Sequence, residues 1–369
     1  MIIRTKGKGS PERSAAAVQK KLQQNPDDKD LLLEAADHCE AERDFEGAAG
    51  HLEKVLASQA GDAVLRRRLG RLLRKAGKPE ESLAHLEEAG RLAPDDLEIH
   101  VSLVKTLLAL DRAGEAERHV LRLLSKNPEA ALCHYALGLV RSEQDRPEEA
   151  ILAFERALDI DPRFARAHSD LGLVYDRSGR VDEALTHFRR AVRLEPDRSV
   201  WHLNLGAVYA EKRLKNEAIA EFQRALALDP HNVEAHFNLG MIYHDQGAFE
   251  DAIREFKIAI ESDEDNIKAH YLLGRAYIRR GIYDRARRQM LKVISLDPDN
   301  ARAYYYLGVA ENKTDNVDEA IAALEKAIAI HPDDGRPYYV LGIAYDKKGV
   351  KDKAREAYQA ADRLQQGNR

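Results

Sequence analysis

Between Ser199 and Pro230 the chain reads SVWHLNLGAVYAEKRLKNEAIAEFQRALALDP. Leu205, Gly206 and Tyr209 fall at helical i, i+1, i+4 spacing, Ala218 and Phe222 are four apart, Ala225 follows one turn on, and Pro230 ends the second segment. The stretch predicts two short helices joined by a turn. The same pattern recurs along the chain: Gly138, Gly172, Gly206, Gly240, Gly274, Gly308 and Gly342 each follow a leucine, and each is 34 residues from the next. Upstream, the same step meets Val104, then Gly70 after Leu69, then Ala36, so the register outlasts the glycine. A fixed period of this length predicts an all-α solenoid, because one helix pair is too small to bury its own apolar face and must stack on its neighbours.

Two more columns sharpen the reading. The step through Ala218 meets Ala48, Ser82, Ala116, Ala150, Ala184, Ala252, Ala286, Ala320 and Ala354, all small, as a close helix crossing requires. The step through Phe222 meets Leu52, Leu86, Val120, Phe154, Phe188, Phe256, Met290, Leu324 and Tyr358, a large residue filling the gap within each pair. Leu-Gly, Tyr, Ala, Phe and Pro at these offsets resemble the tetratricopeptide repeat. The resemblance implies a right-handed superhelix of ten repeats, starting at Lys29, Ala63, Leu97, Ala131, Ala165, Ser199, Val233, Ile267, Ala301 and Gly335 and occupying residues 29–368. Residues 10–28 read as a half repeat: Ser10-Pro11-Glu12 starts a helix, and Val18, Leu22 and Pro26 hold second-helix positions. Residues 1–9 read as a flexible basic tail. At the other end, Arg355 and Asp362 replace apolar residues of earlier repeats, as on a face with no successor.

Composition sets limits. A third of the residues are charged, yet the net charge is only −5, so the chain has no reason to coat itself with nucleic acid. No apolar stretch approaches the roughly 20 residues of a membrane helix, and no signal-peptide core follows the first charges, so the expected location is the cytoplasm. Cys39 and Cys133 lie on first helices almost three repeats apart, too far to bond, and match no metal spacing. No strand pattern and no Gly-rich phosphate loop is present, so the chain is expected to hold no cofactor and catalyse nothing. His100, His134, His168, His202, His236 and His270 recur once per repeat, but helices stack about 8–10 Å apart and metal bonds are about 2 Å long. That column is expected to pack rather than to bind metal.

In the family this chain resembles, function lies on the concave surface, at the second, fifth, ninth, twelfth and thirteenth positions of each repeat. In the last three repeats those positions hold Lys268, Tyr271, Arg275 and Arg279, then Arg302, Tyr305 and Lys313, then Arg336, Tyr339 and Lys347. A tyrosine rail between two basic rails suits an extended acidic peptide. In the second repeat Arg67, Arg71, Arg74 and Lys75 take concave positions, but Asp37 and Glu40 stand at matching positions upstream, so internal ion pairs are the expectation there. No repeat carries the Lys and Asn pair with which some relatives grip chaperone C-termini.

Two exceptions match each other. The eleventh position, normally Tyr or Leu, is Arg141 in one repeat and Glu311 in another, and the twenty-first position of the repeat before each is Glu117 and Arg287. Each exception thus meets its opposite charge 24 residues away, which predicts ion pairs in an otherwise apolar seam between repeats. The sequence reads as a non-catalytic protein-binding scaffold. Homotypic assembly into oligomers or filaments is the second reading, and a regulatory subunit of an enzyme complex the third.

Overall fold

A computed structural model describes residues 11–367, with side chains from 15 to 365. The expected tail, 1–9, lies outside the described residues. Those residues hold twenty-one helices and no strand. Pro11–Gln24 stands alone at the start, and every later helix has a partner. First helices of the pairs open at Lys29, Ala63, Leu97, Ala131, Ala165, Ser199, Val233, Ile267, Ala301 and Gly335. The helices form two compact units divided between Leu194 and Glu195, the first with the single helix and five pairs, the second with five pairs.

Local chemistry sets the ends of these helices. Asp28, Asp62, Asp96, Asn232, Asn266, Asn300 and Asp334 precede first helices, and each side-chain oxygen accepts an N–H of the first turn that has no helical partner. Within every pair the turn contains one residue with positive φ, again at intervals of 34: Arg43, Gly77, Asp111, Asp145, Gly179, Arg213, Gly247, Gly281, Asp315 and Gly349. An L side chain is disfavoured there by its Cβ. Replacing Arg213 (φ 60°) with glycine is therefore expected to raise the unfolding free energy by about 1 kcal/mol, which urea denaturation followed by circular dichroism would measure.

The three columns meet inside each pair. The small column is fully buried from Ala48 to Ala320, and Phe154, Phe188, Phe222 and Phe256 are fully or almost fully buried beside it. A Cβ on Gly138 would lie 2.6 Å from the Phe154 ring, so the glycine is what lets the ring lie against the opposite backbone. At the ends, Val18 of the single helix is buried, while Arg355 and Asp362 are exposed.

The histidine column does more than fill space. Each Nε2 meets the backbone carbonyl six residues upstream: Pro94 at 2.8 Å, Pro128 at 2.7 Å, Pro162 at 3.3 Å, Pro196 at 2.8 Å, Pro230 at 3.1 Å and Glu264 at 3.0 Å. Glu264 replaces the usual proline without loss of this bond, because the acceptor is main chain. In five of the six the other ring nitrogen faces the residue nineteen further on, which varies in kind: His119 at 3.2 Å, His187 at 3.0 Å, Glu221 at 2.5 Å, Glu255 at 2.6 Å and Gln289 at 2.7 Å; at His134 that residue is Ala153. The column thus ties six first helices to the preceding turn, and five of them to their own second helix as well. Among the described residues, no group of three or more His, Cys, Asp or Glu is placed to hold a metal, and no helix is long and apolar enough to cross a membrane.

Burial, then the neighbouring His100, pushes His119 down to about 4, and burial, then His168, does the same to His187. The folded state therefore favours neutral rings where the unfolded chain, near 6.5, binds protons. Their contribution is complete above pH 6.5 and is lost as pH falls from there toward 4. The melting temperature is expected to drop between pH 7 and pH 4.5, and His119→Gln with His187→Gln, copying Gln289, should flatten that drop. An unchanged slope in the double variant would assign the acid sensitivity to other groups.

The seam between repeats is apolar where Ile253 meets Tyr277 and Ile321 meets Tyr345 in common packed clusters. At the two polar exceptions the geometry differs. Arg141 Nη1 lies 2.7 Å from Glu117 Oε1, both side chains largely covered, and Gln144 Nε2 donates to the same carboxylate at 2.7 Å. Arg287 Nη1 stands 3.9 Å from Glu311, with Arg287 43% exposed, and the Glu311 carboxylate is instead held by Asn316 Nδ2 at 2.7 Å. The two pairs, expected to be equivalent, are a tight network and a loose contact.

Candidate functional site

In the second unit, the first helices Ile267–Arg279, Ala301–Lys313 and Gly335–Lys348 carry the ten residues of the expected groove. Their stacking alters the expected rail. Tyr339 is 53% exposed, but Tyr271 and Tyr305 are partly buried, with Tyr306 between them, edge to face with both rings at centroid distances of 5.7 and 4.8 Å. Burial, then the adjacent Tyr306, raises the hydroxyl pKa of Tyr271 and of Tyr305. The Arg275 guanidinium lies 5.7 Å from the Tyr271 ring and 5.8 Å from Tyr306, and Arg279 lies 5.5 Å from Phe249. The tyrosines form a cluster with one open ring beyond it, rather than three equal rungs.

The cations divide as well. Arg336 is bonded through Nη2 to Asp334 at 2.6 Å while lying 5.5 Å over Tyr305, and that pairing holds the Asp334 carboxyl below its usual range. Lys347 meets Asp315 at 2.7 Å and also donates to the Asn312 carbonyl. Lys268, Arg275, Arg279, Arg302 and Lys313 have no carboxylate within ion-pair distance among the described residues. Five of the seven expected cations are thus available to a partner, and two are occupied from within.

The first unit contains a second basic surface, on first helices of the second, third and fifth pairs. Glu40 takes Arg71 at 3.2 Å and Lys75 at 3.6 Å, and Arg68 bonds Glu40 at 3.3 Å as well as Asp37. Arg67 stands 3.8 Å from Glu98, which Arg166 also holds, through Nη1 at 3.1 Å. Of the four cations expected to pair with Asp37 and Glu40, Arg71 and Lys75 do so through Glu40, while Arg67 turns to Glu98 and Arg74 meets neither carboxylate; Asp37 is taken by Arg68 instead. Beyond them lies a network that the sequence reading missed: Lys105 Nζ donates to Tyr135 Oη at 2.8 Å, and Tyr135 donates to Asp170 Oδ2 at 2.7 Å. Lys105 and Tyr135 occupy concave ninth and fifth positions, so their columns could have flagged them. Asp170, at a sixth position, could not.

Comparison with known proteins agrees with this architecture. A family profile described as tetratricopeptide repeat matches residues 7–63, 135–199 and 271–335. A second profile of that description matches 73–139 and 311–369, and a TPR repeat profile matches 216–247 and 240–281. No curated protein matches the chain. Among solved structures, the APC/C hetero-tetramer Cut9-Hcn1 aligns over 86% of this chain and 63% of its own, at 18% identity and a TM-score of 0.59, a likeness of fold. MamA aligns over 44% of this chain and 96% of its own at 32% identity and a TM-score of 0.43. YrrB, described as a TPR protein with an unusual peptide-binding site, aligns over 50% of this chain and 95% of its own at 25% identity and a TM-score of 0.47. With the helix pairs, their glycine and aromatic columns and three matching profiles in agreement, the chain belongs to the tetratricopeptide repeat family.

Proposed function

We propose that this chain is a non-catalytic interaction scaffold whose second unit receives an extended acidic segment of a partner protein. One observation carries the reading: Lys268, Arg275, Arg279, Arg302 and Lys313 stand without carboxylate partners beside a cluster of tyrosines. Tyrosine offers rigid contact area at little entropy cost, and a guanidinium seated on a ring keeps its N–H groups directed outward to carboxylates. Arg336 and Lys347 take part less, since each already has an acidic neighbour.

The test uses the full chain and a fluorescent extended peptide in which glutamates alternate with leucines. Arg275→Glu with Arg302→Glu is expected to weaken binding at least tenfold while leaving helicity unchanged. Native binding should weaken as salt rises, since the attraction is partly between exposed charges. Equal affinity in native and variant chains would refute the groove. Light scattering over a concentration series, without peptide, separates an adaptor, constant in mass, from a self-assembling scaffold, whose mass grows.

A further inference from the structure

The basic surface of the first unit encloses a cavity of about 290 Å³. Six cations line it, Arg67, Arg68, Arg71, Arg74, Lys105 and Arg166, against the single carboxylate of Glu98. The pairs already described account for four of the six: Asp37 and Glu40 take Arg68 and Arg71, while Glu98 is shared by Arg67 and Arg166. Arg74 and Lys105 are left over, with no carboxylate within ion-pair distance among the described residues. Asp170 is hydrogen-bonded to Lys105 only through the Tyr135 hydroxyl, and its charge attracts the ammonium group from beyond ion-pair distance.

Both leftover cations are held under strain of charge. Burial, and then Arg71, pushes Arg74 down; burial pushes Lys105 down, with Arg166 and Arg74 adding to it against the pull of Asp170. Aromatic rings also brace the wall. Lys105 lies 5.3 Å from the Tyr135 ring centroid, and the Arg166 guanidinium lies 5.2 Å from that of Phe164 and 5.8 Å from that of Tyr135. A site whose donors are fixed before the ligand arrives loses little entropy on binding.

We propose that this cavity binds a phosphate monoester dianion, carried as phosphoserine or phosphothreonine on an extended partner segment, with Arg74 and Lys105 supplying the two balancing charges. A carboxylate would neutralise one of them and leave the other, half-buried, without an ion-pair partner. A phosphate near its second ionisation brings close to two negative charges and three acceptor oxygens, which suit a guanidinium fork beside an ammonium group. The site is in the first unit and does not depend on the reading of the second unit's groove.

Calorimetry on the full chain tests this with three probes: a short peptide with one phosphoserine between alanines and glycines, the same peptide with serine, and inorganic phosphate. The phosphopeptide is expected to bind at least tenfold more tightly than the serine peptide, and Arg74→Gln and Lys105→Gln should each remove about tenfold, with circular dichroism verifying the fold. Equal binding of the two peptides overturns the proposal without recourse to any variant. Phosphopeptide binding unaffected by both substitutions overturns the assignment to this cavity. Inorganic phosphate binding as tightly as the phosphopeptide overturns the partner segment as its source and leaves the free ion as the ligand. The glutamate peptide of the previous test serves as a fourth probe. Loss of its binding on substitution at Arg275 and Arg302, but not at Arg74, shows that the two sites succeed or fail separately.

Discussion

Gly138→Val is expected to lower the unfolding free energy by about 3 kcal/mol, and Phe154→Val in the same chain to restore much of that loss. The new Cβ would stand 2.6 Å from both Cδ1 and Cε1 of Phe154, a ring fully buried against Tyr135 at a centroid distance of 5.8 Å. Neither the ring nor the backbone facing it has room to retreat, so the helices of the pair must separate. The chain contains its own solution one repeat earlier, where Val104 replaces the glycine, the large column narrows to Val120, and both side chains are fully buried. The double variant copies that arrangement into the fourth repeat. Its remaining deficit reflects the lost ring area, since volume-conserving exchanges cost less than either change alone. Urea denaturation of the native chain and the three variants measures all terms. A Gly138→Val chain as stable as the native one would mean that the crossing is not close.

Arg141→Ala is expected to cost about 2 kcal/mol, whereas Arg287→Ala should cost under about 1 kcal/mol. Glu117 stands in a largely covered seam, its pKa lowered by Gln144 first and Arg141 next, and Arg141 also reaches Glu149 at 3.4 Å. Removing Arg141 leaves a partly buried carboxylate with one neutral donor. Arg287 is more exposed, sits 3.9 Å from Glu311, and its departure leaves Asn316 still bonded to that carboxylate. Glu117→Ile with Arg141→Tyr, which restores the residue types of the apolar seam, should be tolerated better than either single change. A double variant no better than the worse single one would show that the charged network, and not the packing, holds these repeats together.

Periodic features were legible in the amino-acid sequence. Gly138 and Phe154 sit sixteen residues apart in one unit, Glu117 and Arg141 twenty-four apart across one seam, and both relations recur wherever the columns continue. Such contacts join neighbouring turns of a regular stack, so a column number serves as a coordinate. The left-handed turn residues were equally periodic but harder to recognise, since Arg43 and Arg213 occupy the place that Gly77 and Gly179 fill elsewhere.

The state of each charged or aromatic side chain on the inner face was decided only by tertiary structure. Arg302 and Arg336 hold the same position in consecutive repeats, yet Arg336 finds Asp334 at 2.6 Å and Arg302 finds no carboxylate. Tyr306 joins the cluster from a position with no such role in the flanking repeats, and Lys105 reaches Asp170 through a tyrosine thirty residues along the chain. Ion pairs and hydrogen bonds are made or lost over about 1 Å, and long side chains reach across two or more helices whose separation depends on the volumes packed beneath them. A repeat period places a residue on the inner face; only the packed helices determine whether its charge is already answered from within or is left for a partner.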